Sequence, residues 1–430
     1  MIELPKGWEI KRLADCLEKL KSGKLAERGW SPQCLNYPVQ SKGAWGVLKT
    51  TSVQMGEYQP EHNKELPDSL DPKIGFEVNP GDFLVTTTGP RNRCGIVCNV
   101  KRTPKKLIFS GKILRFRANQ EIISANWLMF LLMSPEYQKT LDKLKVGTSD
   151  SSVSIGNKQI LDLEIPVPPI AEQQEIVALL EDHLSRLDAA LTDVKLAKLK
   201  AVQFRRALLQ DIFIGNLSKN EIHGKIDWPI LKLEEICSFI TDGSHNPPKG
   251  VDSSGFLMLS SRDIQNGKLT FEKPRYLSEE DFIMENKRTD LQLDDVLLTT
   301  VGTIGRTAIY GGKPKNVTFQ RSVSILRPNK QKVSSKFLMY FLDSITELLN
   351  QEARGVAQQG IYLNQVRKLD IPVPSSSEQL KIVGVLDNHL SRLDASLALA
   401  DAMEKQSSAL RRSLLHAATT GQLSREVTSV

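Results

Sequence analysis

The chain has 430 residues, more than one hydrophobic core usually spans, so the sequence predicts at least two domains. Apolar residues make up 40% and charged residues 25%, a balance typical of a folded chain. Five scattered cysteines do not form the disulfide framework of a secreted protein, and no signal-peptide pattern is visible. No apolar run approaches the roughly 20 residues of a membrane helix. We therefore expect a cytoplasmic chain that has no membrane partner.

The net charge of +7 is unevenly distributed. Residues 1–160 contain 24 Lys and Arg against 16 Asp and Glu, whereas residues 161–218, 219–365 and 366–430 carry net charges of −3, +1 and +1. A basic excess in one segment is typical of a surface that binds a polyanion. A solvated basic face explains it equally well, so charge alone does not identify the partner.

Two blocks of the chain are nearly identical. The segment LEIPVPPIAEQQEIVALLEDHLSRLDAAL, from Leu163, returns without a gap from Leu369 as LDIPVPSSSEQLKIVGVLDNHLSRLDASL, with 18 of 29 positions identical. Upstream, residues 81–89 correspond to 294–302, and residues 109–117 to 319–327. A duplication on this scale indicates a repeated structural unit. Each half of the chain therefore consists of a divergent part followed by a near-constant part.

The near-constant parts have the apolar spacing of long helices. In both halves the pattern is a heptad seam, formed by Val177, Leu180, Leu184, Leu187, Leu191 and Val194 and, in the second half, by Val383, Leu386, Leu390, Leu393, Leu397 and Ala400. Start signals lie at Pro169 and in the capping box from Ser375 to Glu378, and stop signals at Gly215 and Gly421. Such a long stripe needs a partner, and the duplicate helix can supply it by packing antiparallel. The alternative is two separate helices, each buried in a larger core.

The divergent parts have the pattern of mixed α/β structure. Short β-rich runs are bounded by Gly, Pro and Asn, and they include Asp82–Thr87, Ile113–Phe116, Val296–Thr300 and Ser322–Leu326. One helical pattern follows in each half, over 125–144 and 335–352, and Pro135 is expected to break the first. The sequence thus predicts an α+β fold. Two mixed α/β domains, related by the internal repeat, are joined by two long helices that form an antiparallel coiled coil.

The motifs of common enzyme classes are missing. No Gly-Lys pair is followed by Ser or Thr, so there is no Walker A loop, and no G-x-G-x-x-G opens a helix. Cys94 and Cys98 have no second ligand pair, so we expect no metal site. The triplet Asn246-Pro247-Pro248 is similar to the adenine-binding loop of amino-methyltransferases, but the aromatic residue that should follow is Lys249. We therefore expect no catalytic residues and no bound cofactor.

The repeated I-P-V-P…E-Q…I-V…L…H-L-S-R-L-D-A block, placed after two divergent segments, resembles the specificity (S) subunit of type I restriction–modification systems. The run Thr241–His245 is also similar to a segment of that family. The resemblance covers essentially the whole chain. It implies target-recognition domains at 1–160 and 219–365, a central conserved helical region at 161–218 and a distal one at 366–430. Each recognition domain would read one half of a split, asymmetric DNA sequence.

The resemblance also implies the partners. Double-stranded DNA would bind the recognition domains, and the coiled coil would fix the spacer and dock two methyltransferase (M) subunits. S-adenosylmethionine would be bound by those M subunits, and restriction (R) subunits are a further partner of such complexes. Candidates for docking are repeated polar residues of the two helices, namely Glu172, Gln173, Arg186, Glu378, Gln379 and Arg392. Helix capping and ion pairs within a helix explain the same residues.

Candidate DNA contacts are basic and amide side chains in the divergent parts, which can reach phosphates and base edges. In the first half these are Arg91, Asn92, Arg93, Lys101, Arg102, Lys105 and Lys106. In the second half they are His245, Lys249, Arg262, Arg306, Lys313 and Lys315. Two other classes remain open: a coiled-coil adaptor that binds proteins without DNA specificity, and the detached recognition part of a fused restriction–methylation enzyme.

Overall fold

A computed structural model describes residues 4–40, 43–214, 228–265, 267–353 and 360–423. It contains two compact units, Met1–Val194 with Ala402–Val430 (unit 1) and Lys195–Asp401 (unit 2). Each unit combines one divergent segment with a part of each long helix. Among the helices of the described residues there is no candidate for a membrane span.

Unit 1 consists of short strands around a few helices. Its strands are β1 Glu9–Arg12, β2 Ala26–Arg28, β3 Gly46–Leu48, β4 Val53–Gln54, β5 Glu57–Tyr58, β6 Asn63–Glu65, β7 Phe83–Thr86, β8 Thr88–Gly89, β9 Val97–Asn99, β10 Leu107–Phe109, β11 Ile113–Phe116, β12 Val146–Ser149, β13 Ser152–Ser154 and β14 Glu164–Val167. Its helices are α1 Ala125–Met133, α2 Pro135–Lys143 and α3 Asn157–Leu161, followed by the long α4 Ile170–Ile214, which continues into unit 2.

Unit 2 repeats this arrangement. Its strands are β15 Ile230–Lys232, β16 Cys237–Asp242, β17 Leu257–Leu259, β18 Ile264–Gln265, β19 Lys268–Leu269, β20 Arg275–Tyr276, β21 Val296–Thr299, β22 Thr307–Ile309, β23 Val317–Phe319, β24 Val323–Pro328 and β25 Asp370–Pro372. Its helices are α5 Leu233–Ile236, α6 Glu279–Thr289, α7 Ser335–Ser344, α8 Thr346–Ala353 and α9 Leu363–Arg367, followed by the long α10 Ser376–Thr419, which continues into unit 1.

The two units share one sheet topology. An antiparallel four-stranded sheet has the order β2-β11-β7-β9 in unit 1 and β16-β24-β21-β22 in unit 2. A three-stranded sheet, β10-β3-β6 or β20-β17-β23, contains one parallel pair in each unit. A two-stranded ribbon, β1-β14 or β15-β25, precedes each long helix. The duplication in the sequence is therefore a duplication of the fold.

Each predicted seam packs with the far part of the other long helix: Leu180 shares a buried cluster with Leu415 and Ala418, and Leu386 shares one with Leu208 and Ile212. Leu180 and Leu386 are fully buried, as heptad positions facing a partner should be. In unit 2, Lys198 pairs with Asp401 at 2.6 Å and Arg205 with Asp394 at 3.1 Å. Seven residues forward along α4 thus correspond to seven residues back along α10, so the helices run antiparallel there. In unit 1, Arg411 of α10 forms an ion pair with Asp188 of α4. The predicted antiparallel pairing is confirmed.

The predicted start and stop signals of α10 also match the structure. The Ser375 N–H donates to Glu378 Oε2 at 3.0 Å, and the Glu378 N–H donates to Ser375 Oγ at 3.4 Å, which is the reciprocal bonding of a capping box. Gly421, two residues beyond the helix, has a φ of +73°, the left-handed conformation that commonly ends a helix. Gly215, the stop signal of α4, lies outside the described residues.

The helical patterns of the divergent parts are each divided in two. Helix α1 ends before Pro135 as predicted, because proline begins α2. The second pattern, over 335–352, was expected to be one helix, but it is interrupted at Ile345. Hydroxyls on both sides of the break bond to nearby carbonyls: Ser344 donates to Phe341 O at 2.6 Å and Thr346 to Asp343 O at 2.8 Å. Such bonds compete with the regular ladder of a helix.

Candidate nucleic-acid interface

The four-stranded sheet of each unit has two ends, and the predicted DNA contacts are divided between them. In unit 1, Phe83 lies opposite Asn99, so the loop after β9 lies where β7 begins. In unit 2, Val296 lies opposite Ile309, and the loop after β22 lies where β21 begins. We name this the proximal end, and the end where β7 and β21 finish the distal end. Four residues of strand span about 13 Å at roughly 3.3 Å each, so the two groups are separate.

Six predicted cations lie at the proximal end. They occupy the connector after β9 in unit 1 and its counterpart after β22 in unit 2, and all are exposed: Lys101, Arg102, Lys105, Lys106, Lys313 and Lys315. Lys106 donates from Nζ to the carbonyl of Gly43 at 2.7 Å. The other five have no hydrogen-bond or ion-pair partner among the described residues. They are free to attract a polyanion.

Arg91 and Asn92 lie at the distal end of unit 1, in the turn after β8. Arg91 is held by a 2.8 Å ion pair with Asp142 of α2. Hydrogen bonds from Arg91 and Lys145 lower the pKa of Asp142 to about 2. Asn92 is exposed, and within the described part of the chain its side chain has no partner. Of the two, only Asn92 is available without breaking an existing bond.

Arg93, the third residue of that turn, is used inside unit 1. Its guanidinium donates to the carbonyls of Thr50 and Val53 at 2.9 and 2.8 Å, and to Gln54 Oε1 at 2.9 Å. These bonds hold the segment that leads into β4. Arg93 is thus placed as a structural tether and does not project from the surface.

In unit 2, His245 and Arg306 lie at the distal end. His245 Nε2 is 2.8 Å from a carboxylate oxygen of Asp242, which also forms an ion pair with Arg288. The exposed Arg306 donates to the carbonyl of Ile264 at 3.3 Å. These two side chains are partly engaged but remain at the surface.

The remaining two candidates of unit 2 are exposed. Arg262 donates from Nη2 to the carbonyl of Lys273 at 2.7 Å, and its side chain is 65% exposed. Lys249 follows the Asn-Pro-Pro segment and has no partner among the residues that the structure describes. Both are able to reach a ligand from outside the sheet.

A cleft of about 410 Å³ lies at the distal end of unit 2. His245 lines it, together with residues that the sequence analysis did not select: Asp242, Arg288, Thr300, Val301, Arg321, Ser324, Gly360, Ile361, Tyr362, Leu363 and Asn364. The correspondence of 109–117 with 319–327 carried a signal for one of them, because it aligns Arg321 with Gly111. Positions that align between the two halves but carry different residue types, such as Arg321 and Gly111, could have pointed to this cleft.

Two of the predicted docking residues are buried clamps. Gln173 is 0% exposed: its Oε1 accepts from the Ser124 N–H at 2.7 Å, and its Nε2 donates to the carbonyls of Ile122 and Pro168 at 3.1 and 2.7 Å. This side chain fastens the first turn of α4 to the segment before α1. It presents no surface to another protein in this structure.

Gln379 makes the same three bonds in unit 2. Its Oε1 accepts from the Ser334 N–H at 2.9 Å, and its Nε2 donates to the carbonyls of Lys332 and Pro374 at 2.9 and 3.0 Å. The side chain is 2% exposed. The repeated glutamine thus has a structural role in both units.

The remaining docking candidates lie nearer the surface. Glu172 accepts from Trp8 Nε1 at 2.9 Å. The hydroxyl of Ser375 lowers the pKa of Glu378 by hydrogen bonding to its carboxylate. Arg186 forms an ion pair with Asp182 on its own helix at 3.0 Å. Arg392 is exposed and has no side-chain partner among the described residues. The two arginines are the docking candidates that lie open on the helices.

Within the described residues, no group of three His, Cys, Asp or Glu side chains is placed to hold a metal ion. Cys94 and Cys98 are both buried, and burial raises the pKa of the Cys98 thiol to about 12.

Duplicated scaffolds with unlike polar surfaces define a protein that has two recognition modules in one chain. A family model described as the type I restriction modification DNA specificity domain matches residues 5–201 and 226–398. The chain belongs to this family. DNA target recognition is the family's function, and the specificity subunit is a non-catalytic part of type I complexes, in which it assembles with methyltransferase subunits and DNA.

Individual proteins agree with this assignment. The EcoEI specificity subunit of Escherichia coli is 37% identical over 186 residues, which are 43% of this chain and 30% of that protein. The putative MjaX specificity subunit of Methanocaldococcus jannaschii is 22% identical over 98% of this chain and 95% of its own length. A solved chain, from work on complex assembly and conformational transition of the type I R-M system, has a TM-score of 0.72 at 20% identity and covers 97% of this chain and 99% of its own. The predicted family and fold class are confirmed.

Proposed function

We propose that each unit reads one half of a split, asymmetric DNA target. The observation that carries this proposal is the pairing of similar scaffolds with unlike surfaces. The four-stranded sheet and the three-stranded sheet that contains a parallel pair have the same order in both units. The polar side chains at their distal ends differ, with Arg91 and Asn92 in unit 1 and His245 and Arg306 in unit 2. Two modules of one shape and different surface chemistry are suited to two different half-sites, because base edges are read by individual side chains.

The long helices support a fixed spacing between the half-sites. Helix α4 contributes residues to unit 1 and, without interruption, to unit 2, and α10 does the same in the reverse order. In dimeric DNA readers, protein geometry sets the half-site spacing, and continuous helices can do so here.

The proposal assigns the chemistry to partners. Two M subunits would dock on the paired helices, where Arg186 and Arg392 are exposed at repeated positions. They would bring S-adenosylmethionine and act on the DNA that this chain selects. R subunits would join such a complex for cleavage, and all of these proteins would act in the cytoplasm on chromosomal DNA.

A genome-wide map of methylated adenines, made in the host cell with and without this gene, tests the proposal. We expect one split motif with a constant spacer to lose methylation when the gene is removed. Replacing residues 219–365 by the recognition segment of a relative should then change one half of that motif and leave the other half and the spacer intact. Identical maps, obtained while the partner subunits are expressed, would contradict the proposal and favour a protein adaptor.

A further inference from the structure

The cleft at the distal end of unit 2 presents hydrogen-bonding groups that the fold does not use. Arg321, Tyr362 and Asn364 line it, are exposed, and have no side-chain hydrogen bond or ion pair among the described residues. Tyr362 is 56% exposed although it is aromatic. Three free polar groups of different kinds therefore surround one concavity.

The wall of the cleft adds two hydroxyl side chains from largely buried residues. Thr300 is 2% exposed and Ser324 is 1% exposed, and neither side chain has a hydrogen bond to the described residues. Both hydroxyl side chains line the cleft, so they can bond a polar ligand or water there. The chemistry of the cleft suits a planar ligand with several donors and acceptors.

Unit 1 has the same backbone at this place. The Thr300 N–H donates to Ser322 O at 3.0 Å, and the Ile361 N–H to Thr300 O at 2.9 Å. In unit 1 the corresponding bonds run from Thr87 to Lys112 at 2.8 Å and from Ile155 to Thr87 at 2.9 Å. These main-chain bonds align the two sites residue by residue, without reference to the side chains.

The next residues along the chain continue this alignment. The Tyr362 N–H donates to Gln365 Oε1, and the Gly156 N–H to Gln159 Oε1, both at 2.9 Å. Tyr362 therefore corresponds to Gly156, and Asn364, two residues further, to Lys158.

The sheet register aligns the remaining position. Ser324 lies opposite Leu298 as Leu114 lies opposite Val85. Three residues earlier, Arg321 therefore corresponds to Gly111. All three free groups of the cleft are replaced in unit 1 by residues of another chemical type, although the backbone that carries them is preserved.

We propose that Arg321, Tyr362 and Asn364 are specificity-determining residues that contact bases of the half-site read by unit 2, and that positions 111, 156 and 158 are their counterparts in unit 1. Arginine suits guanine, whose O6 and N7 it bonds in bidentate fashion, and asparagine suits adenine N6 and N7. Tyr362 packs against a base or a thymine methyl group. This inference rests on the proposed function, which it extends from the two units to individual side chains.

The test uses the complete chain with its own partner subunits in the host cell. Arg321→Ala and Asn364→Ala replace side chains that have no partner in the described structure, and Arg321→Gln is a second, milder variant. Lys313→Ala, which removes an exposed cation at the proximal end, is the matched control. Methylated adenines are mapped for each variant and compared with the map of the unchanged chain.

We expect Arg321→Ala and Asn364→Ala each to lose about 10- to 100-fold discrimination at one base pair of one half-site. The other half-site and the spacer should stay unchanged, and Lys313→Ala should reproduce the original motif. An unchanged motif in both cleft variants would overturn the inference while the proposed function stands. Weaker methylation at every site with the same preferred bases would assign Arg321 to phosphate contact and also overturn it. Absence of any split motif for the unchanged chain would overturn the proposed function itself.

Discussion

The two units differ where side chains are free and agree where the backbone is bonded. Gly29 and Gly243 show the agreement, since a Cβ at either position would overlap a carbonyl oxygen, that of Phe109 in unit 1 and that of Phe319 in unit 2. At the distal end the main-chain hydrogen bonds are equally well preserved, yet the side chains on this part of the backbone differ between the units. A scaffold held by its backbone lets surface chemistry change at little cost in stability, which is useful in a protein that must read two unlike sequences.

The units also differ in one buried place. Asp343 on α7 accepts from the hydroxyl of Thr307 on β22 at 2.6 Å. The repeat and the sheet register place Met133 and Val97 at the corresponding positions of unit 1, and both belong to an apolar cluster. Unit 2 thus contains a titratable group that unit 1 lacks.

The glutamine clamps give the largest expected effect and test whether the units are equivalent. Gln173→Ala and Gln379→Ala each remove three hydrogen bonds and leave buried backbone groups without partners, so each should lower the free energy of unfolding by about 3 to 5 kcal/mol. Hydrogen exchange measured on peptides of both units would show where protection is lost. The exposed neighbour Gln174 provides the control, because Gln174→Ala should change stability by less than about 0.5 kcal/mol. If only one of the two glutamine variants lost stability, the two units would not be equivalent.

Asp343 should make the stability of unit 2 depend on pH. Burial raises the pKa of Asp343 to about 6, above its unfolded value of 3.8. The favourable contribution of protonated Asp343 to the stability of unit 2 is therefore complete below pH 3.8, and it is lost as the pH rises through about 6. Asp343→Asn should stabilise unit 2 by about 2 to 3 kcal/mol at pH 8 and have almost no effect near pH 4.

Unfolding of the wild-type chain and of Asp343→Asn, measured between pH 4 and pH 8, checks this expectation. Thr307→Val provides the opposite change, since it removes a hydrogen bond that lowers the pKa of Asp343. That variant should strengthen the pH dependence. A difference between Asp343→Asn and wild type that does not change with pH would contradict the expected titration.

The architecture was predictable because apolar periodicity and the repeat determine it locally. The heptad seams that contain Leu180 and Leu386 were predicted from apolar spacing alone, and strand β11 was predicted at its observed bounds. The interruption at Ile345 was not predicted, because Ser344 and Thr346, whose hydroxyl bonds flank it, look like ordinary polar positions of a helical pattern.

The interface was less predictable because a sequence shows which side chains are charged but not which are already bonded. Arg91 pairs with Asp142, 51 residues away, and Arg93 bonds to carbonyls about 40 residues away. Arg321 and Asn364 are 43 residues apart in the sequence, and only the folded structure shows that both line one cleft. Long-range contacts of this kind are invisible to local patterns.

The ion pairs between the helices should have small and unequal effects in the two units. Arg205 has 24% of its side chain exposed and lies 4.0 Å from Asp343 as well as 3.1 Å from Asp394. Arg411 is 33% exposed and its partner Asp188 is 58% exposed. Because exposed pairs contribute roughly 0 to 1 kcal/mol, Asp394→Asn should cost up to about 1 kcal/mol and Asp188→Asn close to nothing. Calorimetric melting of both variants would compare the two losses of stability, and a larger loss for Asp188→Asn than for Asp394→Asn would contradict the expectation.

The basic connectors at the proximal end should have the smallest effect on recognition. Lys101, Arg102 and Lys105 in unit 1 are exposed and lie at the opposite end of the sheet from the cleft position. Charges so placed attract DNA from a distance without reading it, and that attraction fades beyond a Debye length of about 8 Å at physiological salt. Replacing the three residues by glutamine should weaken DNA binding only a few-fold and leave the methylated motif unchanged. Lys313 and Lys315 allow the same test in unit 2. If either set of substitutions alters the preferred bases, the reading surface lies at the proximal end, and the side-chain differences between the two distal ends have another cause.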